Sequence, residues 1–231
     1  MRILAVVPAY NEEKSIRAVV SDLHKSAPNV DVLIVNDGST DETAAICRNL
    51  PNCIFIDMPF NVGLADAVQT GLRYAAVHNY DCAVQFDGDG QHRAEYIEQL
   101  SKKSAEGYDI VIGSRFYSQK RPISLRTLGS VFIGAAIKLT SGLKVTDPTS
   151  GLRLYNKKIL CEFASNMNYA PEPDTLAYLA RNGATICEVQ VVMDERTFGV
   201  SYFTLARSLK YMLHMCFSIL LVQWFRKRGK G

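Results

Sequence analysis

The chain has 231 residues, of which 48% are hydrophobic and 21% charged, and this composition is typical of a globular protein and excludes a disordered chain. The formal net charge of +3 favours no acidic polymer, so we expect no nucleic-acid partner. Six scattered cysteines without a Cys-x-x-Cys pair favour a reducing cytoplasm, and the first apolar segment is too short for a secretory signal.

Short apolar runs predict buried strands in the first half of the chain. The runs are Ile3 to Val7, Val30 to Val35, Cys53 to Ile56, Cys82 to Phe86 and Ile110 to Ile112. Near-continuous apolar character over these lengths is typical of parallel strands covered on both faces. Helical stretches over residues 12–25, 40–47 and 64–77 lie between the runs. The alternation predicts an α/β fold with a Rossmann-like, mostly parallel sheet flanked by helices.

The second half of the chain has a looser pattern. Residues 125–139 and 175–180 have helical spacing, whereas residues 151–155 and 185–192 are extended. No linker or low-complexity tract divides the chain, so we expect one catalytic domain over residues 1–202. Its second half would form the other wall of a cleft.

The C-terminal segment, residues 203–231, combines an apolar helix with a basic tail. Residues 211–225 are almost entirely apolar, and Arg226-Lys227-Arg228-Gly229-Lys230 follows. A helix over residues 211–225 would reach ~22 Å, which is short of the ~30 Å hydrocarbon core of a bilayer. We therefore expect it to lie on the cytoplasmic membrane surface, with the protein peripheral on the inner face of the cell membrane. A membrane-protein partner or a second copy of the chain is the alternative.

Polar residues follow most of the predicted strands. They occupy residues 8–13, 36–41, 87–92 and 113–115. In open α/β sheets, ligands bind at the carboxyl ends of the strands, so these residues are the candidates for a site. The dinucleotide and P-loop glycine patterns are absent from the sequence, which excludes the main signals of two common nucleotide-binding classes.

Asp87 and Asp89 form the strongest chemical signal. Residues two apart in an extended segment face the same side, and two carboxylates ~5 Å apart would repel by about 3 kcal/mol at an effective dielectric near 20. A divalent cation removes that repulsion, and oxygen ligands that include Gln91 fit Mg²⁺ or Mn²⁺ better than zinc. His92 could join a Mn²⁺ site or donate a hydrogen bond. The alternative interpretation of the segment is a tight polar turn.

The segment Asn36-Asp37-Gly38-Ser39 has two interpretations. Its residues are ordinary for a strand-to-helix turn, in which Asp41 lies near the start of the next helix. The functional interpretation gives Asp37 a hydrogen bond to a nucleoside base or ribose.

Seven segments together resemble the inverting family 2 glycosyltransferases, which have the GT-A fold. Within that family they are similar to polyprenyl-phosphate glycosyltransferases of the dolichyl-phosphate mannose synthase type. The segments run in the family's order over nearly the whole chain and comprise residues 7–13, 35–41, 61–65, 87–92, 113–115, 147–153 and 195–201.

The resemblance implies a metal-dependent glycosyltransferase with a nucleotide diphosphate sugar, UDP- or GDP-linked, as donor. It implies that the nucleotide contacts Pro8, Ala9, Tyr10, Glu12, Asp37, Gly63, Asp87 and Gly88. Asp87, Asp89 and Gln91 would surround the metal and the diphosphate. Arg115, Arg126 and Arg196 would face phosphates, although each could instead be a solvated surface charge.

The resemblance also implies a polyprenyl phosphate acceptor. An anionic phosphate oxygen is a competent nucleophile once aligned, whereas a sugar hydroxyl would need a general base. Glu172 is a candidate base in Pro171-Glu172-Pro173-Asp174, and Asp174 there could simply start a helix. Transfer to a saccharide hydroxyl in cell-wall or capsule synthesis is the second hypothesis, and a non-catalytic nucleotide-sugar sensor is the third.

Overall fold

A computed structural model describes residues 1–122, 125–165, 170–195 and 205–226 of the chain. Arg196, predicted to face a phosphate, and the basic residues 227–230 lie outside the described residues, as does the side chain of Arg126.

One seven-stranded sheet organises the chain, in the order β3-β2-β1-β4-β6-β5-β7. All strand pairs are parallel except those of β6, which runs antiparallel to both β4 and β5. The strands are β1 Ile3–Ala9, β2 Val30–Asn36, β3 Cys53–Asp57, β4 Cys82–Gln85, β5 Ile110–Ser114, β6 Arg153–Asn156 and β7 Ile186–Gln190. The mostly parallel sheet predicted from the apolar runs is confirmed.

The helices are α1 Ile16–Ser26, α2 Thr43–Arg48, α3 Leu64–Val77, α4 Tyr96–Ala105, α5 Leu125–Ser141, α6 Lys157–Ser165, α7 Pro173–Arg181 and α8 Leu205–Leu220, followed by a 3₁₀ turn at Val222–Phe225. The helices expected from spacing are present. The helices α4 and α6 were not predicted.

Two apolar layers cover the two faces of the sheet. One layer packs α1, α2 and α4 against alternate residues of β1 and β2, and Ile16, Val19, Val20 and Leu23 of α1 are all buried in it. The other packs α3, α6 and α7 on the opposite face. Alternate residues of β1 enter different layers, which explains why the whole strand is apolar.

A third, smaller core joins the C-terminal segment to the rest of the chain. Ile137 of α5, Ala177 of α7 and Ile219 of α8 are all buried in it. The expected single helix over residues 211–225 differs from the structure, in which α8 begins at Leu205, ends at Leu220 and is followed by the 3₁₀ turn. None of the described helices is long and apolar enough to cross a membrane.

Candidate active site

The strand register brings the predicted polar loops to one edge of the sheet. Ala9 pairs with Asn36 at the ends of β1 and β2, and β4 ends beside them at Gln85. Because β6 is antiparallel, it begins at this same edge, where Arg153 pairs with Gln85. The loops after β1, β2 and β4 and the loop before β6 therefore meet at one edge of the sheet, which is the candidate site.

Direct hydrogen bonds connect these loops. The backbone N–H of Asn11 donates to Ser39 Oγ at 3.0 Å, and the backbone N–H of Thr40 donates to Asn11 Oδ1 at 2.9 Å. The hydroxyl of Ser15 lies 2.8 Å from the carbonyl oxygen of Gly88 and 2.7 Å from Glu12 Oε2. Glu12 is thus held beside the Asp87 loop, where it is 8% exposed.

The Asp87 carboxylate is positioned by neighbours on both of its oxygens. Gln85 Nε2 donates to Oδ1 at 3.2 Å, and Nε2 of the buried His92 lies 3.6 Å from Oδ2. The Asp87 side chain is 26% exposed, and none of the described lysines or arginines forms an ion pair with it. A partly open anionic group that is held in place but not neutralised is suited to a cation.

Asp89 and Gln91 follow in the same loop. The backbone N–H of Gln91 donates to Asp89 Oδ1 at 3.1 Å, which fixes the turn between them. Gln91 also contacts the segment before Arg196, because its Nε2 donates to the Asp194 carbonyl at 3.3 Å. Arg93 forms a two-point ion pair with the Asp194 carboxylate, so the loop is connected to the segment that follows β7.

Two glycines leave room for the Asp87 loop. A Cβ on Gly88 would lie 2.8 Å from the carbonyl oxygen of Pro8, and a Cβ on Gly151 would lie 2.3 Å from Asp87 Oδ2. Any larger residue at either position would have to displace its neighbour. The absence of a side chain at Gly88 therefore allows the Asp87 loop to approach the backbone of Pro8 in β1 closely.

Asp37 organises a neighbouring loop. The Asp37 residue is 2% exposed. Its carboxylate accepts hydrogen bonds from the backbone N–H of Val62 at 2.7 Å and of Gly63 at 2.9 Å, and from Asn61 Nδ2 at 3.0 Å. Gly63, with φ +102°, is thus held beside Asp37, and its predicted contact with the nucleotide stays a prediction. Both carboxylate oxygens of Asp37 thus accept hydrogen bonds from residues 61–63 of the protein, and the predicted hydrogen bond from Asp37 to a nucleoside stays a prediction.

Arg115, which follows the end of β5, is fixed by a buried carboxylate. Its Nε and Nη2 donate to the two oxygens of Asp147 at 2.7 and 2.9 Å, and Asp147 is fully buried. Glu188 in β7 in turn accepts hydrogen bonds from the backbone N–H groups of Thr146 and Asp147. Burial acts to lower the pKa of Arg115, but the hydrogen bond and charge of Asp147 raise it overall.

The two carboxylates near the expected acceptor side both have protein partners. Glu172 Oε2 accepts a hydrogen bond from the Tyr211 hydroxyl at 2.5 Å. Burial, together with the charge and hydrogen bond of Glu172, raises the pKa of Tyr211 above its ordinary value. Asp174 is 5% exposed, accepts from Ser218 and forms an ion pair with Arg226. The expectation that Asp174 starts this helix is corrected, because α7 begins at Pro173 with Glu172 at its N-cap position, and Asp174 lies within the first turn.

The ion pair of Arg226 alters the expected role of the basic tail. Arg226 had been counted among the residues that attract lipid, but its guanidinium contacts Asp174 and Thr175, and its side chain is 17% exposed. That part of the expectation is corrected, because a cation already paired with a buried carboxylate contributes little to a lipid surface.

Sequence reasoning assigned no role to Gln85, Asp147, Glu188 or Gly151, although all four shape the site. Gln85 and Glu188 carried a signal, since each is a polar residue in a mostly apolar strand. Asp147 and Gly151 lie in a segment that was matched to the family without a physical role.

Comparison with known proteins identifies similar chains. The family model described as glycosyl transferase family 2 matches residues 4–163. The chain is 31% identical over 236 residues to UDP-N-acetylglucosamine–dolichyl-phosphate N-acetylglucosaminyltransferase of Methanococcus voltae, with 91% of each chain covered. It is 29% identical over 212 residues to undecaprenyl-phosphate mannosyltransferase of Micrococcus luteus, with 87% of each covered.

Among solved structures, the fold is similar to glucosyl-3-phosphoglycerate synthase of Mycobacterium tuberculosis in complex with Mn²⁺, UDP and phosphoglyceric acid. The TM-score is 0.69 at 20% identity, with 98% of this chain and 79% of that chain covered. The sheet order and this similarity confirm the predicted GT-A fold.

Proposed function

Because the chain belongs to glycosyltransferase family 2, we propose that it transfers a sugar from a nucleoside diphosphate sugar to the phosphate of a polyprenyl phosphate. The observation that carries the proposal is the meeting of Asp87 and Asp89 with the loops after β1 and β2 at one sheet edge. Two similar proteins are named as transferases acting on dolichyl or undecaprenyl phosphate. The donor is a UDP- or GDP-sugar, and the transferred group is a hexose or an N-acetylhexosamine.

A divalent cation, Mg²⁺ or Mn²⁺, fits the residues at this edge. Asp87, Asp89 and Gln91 supply oxygen ligands, which both ions prefer. Among the described residues, no group of three or more His, Cys, Asp or Glu side chains forms a complete metal site, so substrate phosphates would supply the remaining ligands. When bound, the cation would stabilise the negative charge that develops on the departing diphosphate.

The nucleotide lies, in this proposal, across the ends of β1 and β2. Pro8 and Ala9 end β1, and Tyr10 and Glu12 follow in the loop that contacts Ser39 and the Asp87 loop. Asp37 acts here through the loop that contains Gly63, whose backbone it holds. Arg115, positioned by Asp147, contacts a phosphate of the donor or acceptor, and Arg196 is proposed for the same task.

The acceptor assignment is supported by the state of the two candidate bases. A hydroxyl acceptor needs a general base within hydrogen-bond reach, whereas a phosphate acceptor is already anionic. Asp174 is buried and paired with Arg226, and Glu172 accepts the Tyr211 hydroxyl. Both carboxylates are occupied by the protein, which favours the phosphate acceptor over transfer to a saccharide hydroxyl.

We place the membrane surface at the outer face of α5 and α8. Phe132 and Leu139 of α5 and Leu213 and Phe217 of α8 are each more than half exposed, and an open groove of about 520 Å³ runs between the two helices. Residues 125–146 and 205–231 contain no Asp or Glu, so every charged side chain in these two segments is basic. An apolar face on segments that carry only basic charges suits the anionic inner surface of a cell membrane.

Transfer is tested by incubating the protein with undecaprenyl phosphate, Mn²⁺ or Mg²⁺ and labelled UDP- or GDP-sugars. The expected product is soluble in chloroform and labile to mild acid. Asp89→Ala should abolish it, whereas Glu98→Gln, which removes a fully exposed surface charge on α4, should not. Label that appears only on an oligosaccharide would establish the hydroxyl acceptor instead, and inertness with every donor would favour a non-catalytic sensor.

Lipid contact is tested separately by flotation with vesicles of phosphatidylglycerol and phosphatidylcholine. Leu213→Glu combined with Phe217→Glu should release the protein from these vesicles, whereas Val77→Glu, at an exposed apolar position on α3, should not. Light scattering of the wild-type protein separates the alternative, because a stable dimer that the double variant dissociates would assign the face to a second copy. A face that needs a membrane-protein partner would leave the purified chain monomeric and unable to float.

A further inference from the structure

The side chain of His92 makes both of its polar contacts with one residue, Asp87. The backbone N–H of Asp87 donates to His92 Nδ1 at 3.0 Å, and His92 Nε2 lies 3.6 Å from Asp87 Oδ2. The imidazole is 3% exposed and packs edge-on against Phe86, with ring centroids 5.4 Å apart. Packing on one side and hydrogen bonding on the other leave the ring one orientation.

This geometry determines the tautomer of His92. A ring nitrogen that accepts a backbone N–H carries no proton, so the proton of the neutral ring lies on Nε2. Nε2–H then faces the carboxylate oxygen of Asp87, the same oxygen that Gly151 leaves room for. The lone pair of Nδ1 accepts the backbone N–H, and the ring position of Nε2 that faces outward carries a proton, so neither nitrogen has a lone pair available for a cation.

We infer that His92 is a positioning residue that holds Asp87 toward the cation and is not itself a metal ligand. The inference rests on the proposed function, because it takes Asp87 as one of the metal-binding carboxylates. It resolves the two roles that the sequence left open for His92. Groups that orient a metal ligand from behind contribute about 10- to 100-fold to metal affinity, and this is the effect expected here.

Two substitutions separate the contacts. In His92→Asn, the amide oxygen can replace Nδ1 as acceptor for the Asp87 backbone, whereas in His92→Gln the amide can replace Nε2 as a donor to the carboxylate. We expect each to weaken Mn²⁺ binding, measured from the loss of the free Mn²⁺ electron paramagnetic resonance signal, by less than His92→Ala does. His78→Asn, at an exposed position at the end of α3, is the matched control and should bind Mn²⁺ like wild type.

Two spectroscopic measurements on the wild-type protein do not depend on the variants folding. Two-bond ¹⁵N–¹H correlation spectra of the metal-free protein should show His92 neutral with its proton on Nε2. Electron spin echo spectra of the Mn²⁺ complex should lack the ¹⁴N coupling of a directly bound imidazole. A proton on Nδ1, a directly coupled nitrogen, or an unchanged Mn²⁺ affinity in His92→Ala would each overturn the inference. Wild-type protein that binds no Mn²⁺ in the presence of UDP or GDP would instead refute the proposed metal-dependent function, and this is seen before any variant is compared.

Discussion

Substitution of Gly151 by alanine is expected to damage catalysis far more than folding. The Cβ of alanine would lie 2.3 Å from Asp87 Oδ2, whereas non-bonded heavy atoms normally approach to about 3.5 Å. The Asp87 carboxylate must therefore move by about 1 Å. A misplacement of that size can reduce a rate about 100-fold, which corresponds to about 2.7 kcal/mol of activation free energy.

The cost to stability should be smaller. Overpacking of a core typically costs 1–3 kcal/mol, and about 1 kcal/mol is expected here because the displaced atom ends a side chain that is a quarter exposed. The backbone at Gly151 does not have a positive φ that would strain alanine, so the substitution tests space alone.

The assay compares kcat/KM for transfer to undecaprenyl phosphate, the Mn²⁺ affinity and the thermal midpoint. Gly129→Ala in α5 is the control, since its Cβ would meet Met212 at an ordinary 3.4 Å and alanine favours the helix. We expect the control to be as active as wild type and at least as stable. A Gly151→Ala protein with wild-type kcat/KM and Mn²⁺ affinity would show that the position of Asp87 does not govern the reaction.

Three further predictions concern the groups that support the site. Asp147→Asn should lower kcat/KM and reduce the free energy of unfolding in urea by about 1.5–3 kcal/mol, because Arg115 loses its charged partner. An unchanged kcat/KM would show that Arg115 does not take part in the reaction. Asp174→Ala and Arg226→Ala should each reduce the free energy of unfolding by about 3 kcal/mol, because each leaves one buried charge without a partner. The double variant should lose much less than the sum of the two, and an additive loss would contradict the ion pair. Burial acts to raise the pKa of Asp109, but Lys158 and the other hydrogen-bond donors to this carboxylate lower the pKa overall. The stability that ionised Asp109 contributes is therefore present above about pH 4 and is lost as the pH falls through the lowered pKa. Asp109→Asn should therefore unfold more easily than wild type at pH 7, with a difference that narrows in acid, and a constant difference would refute the assignment.

The local pattern of the sequence was sufficient for most of the secondary structure. Apolar runs such as Ile3 to Val7 are continuous because both faces of a parallel strand are buried, and the helical spacing of residues 64–77 matches α3 without error. The polar residues that follow the strands could be placed at one edge because parallel strands end together. The paired aspartates and their chemistry were thus visible before any contact was known.

Long-range pairing decided what those residues contact. The antiparallel insertion of β6 between β4 and β5 places Gly151 against Asp87 and brings Asp147 to Arg115. The periodicity of apolar residues along a strand does not indicate whether the strand runs parallel or antiparallel to its neighbours. The same holds for the C-terminal segment. Its apolar and basic composition indicated a surface helix, but only the packing of α8 against α5 and α7 shows that Arg226 is paired with Asp174. Spacing along the chain specifies local geometry, whereas the partner of a buried charge depends on which distant elements pack beside it.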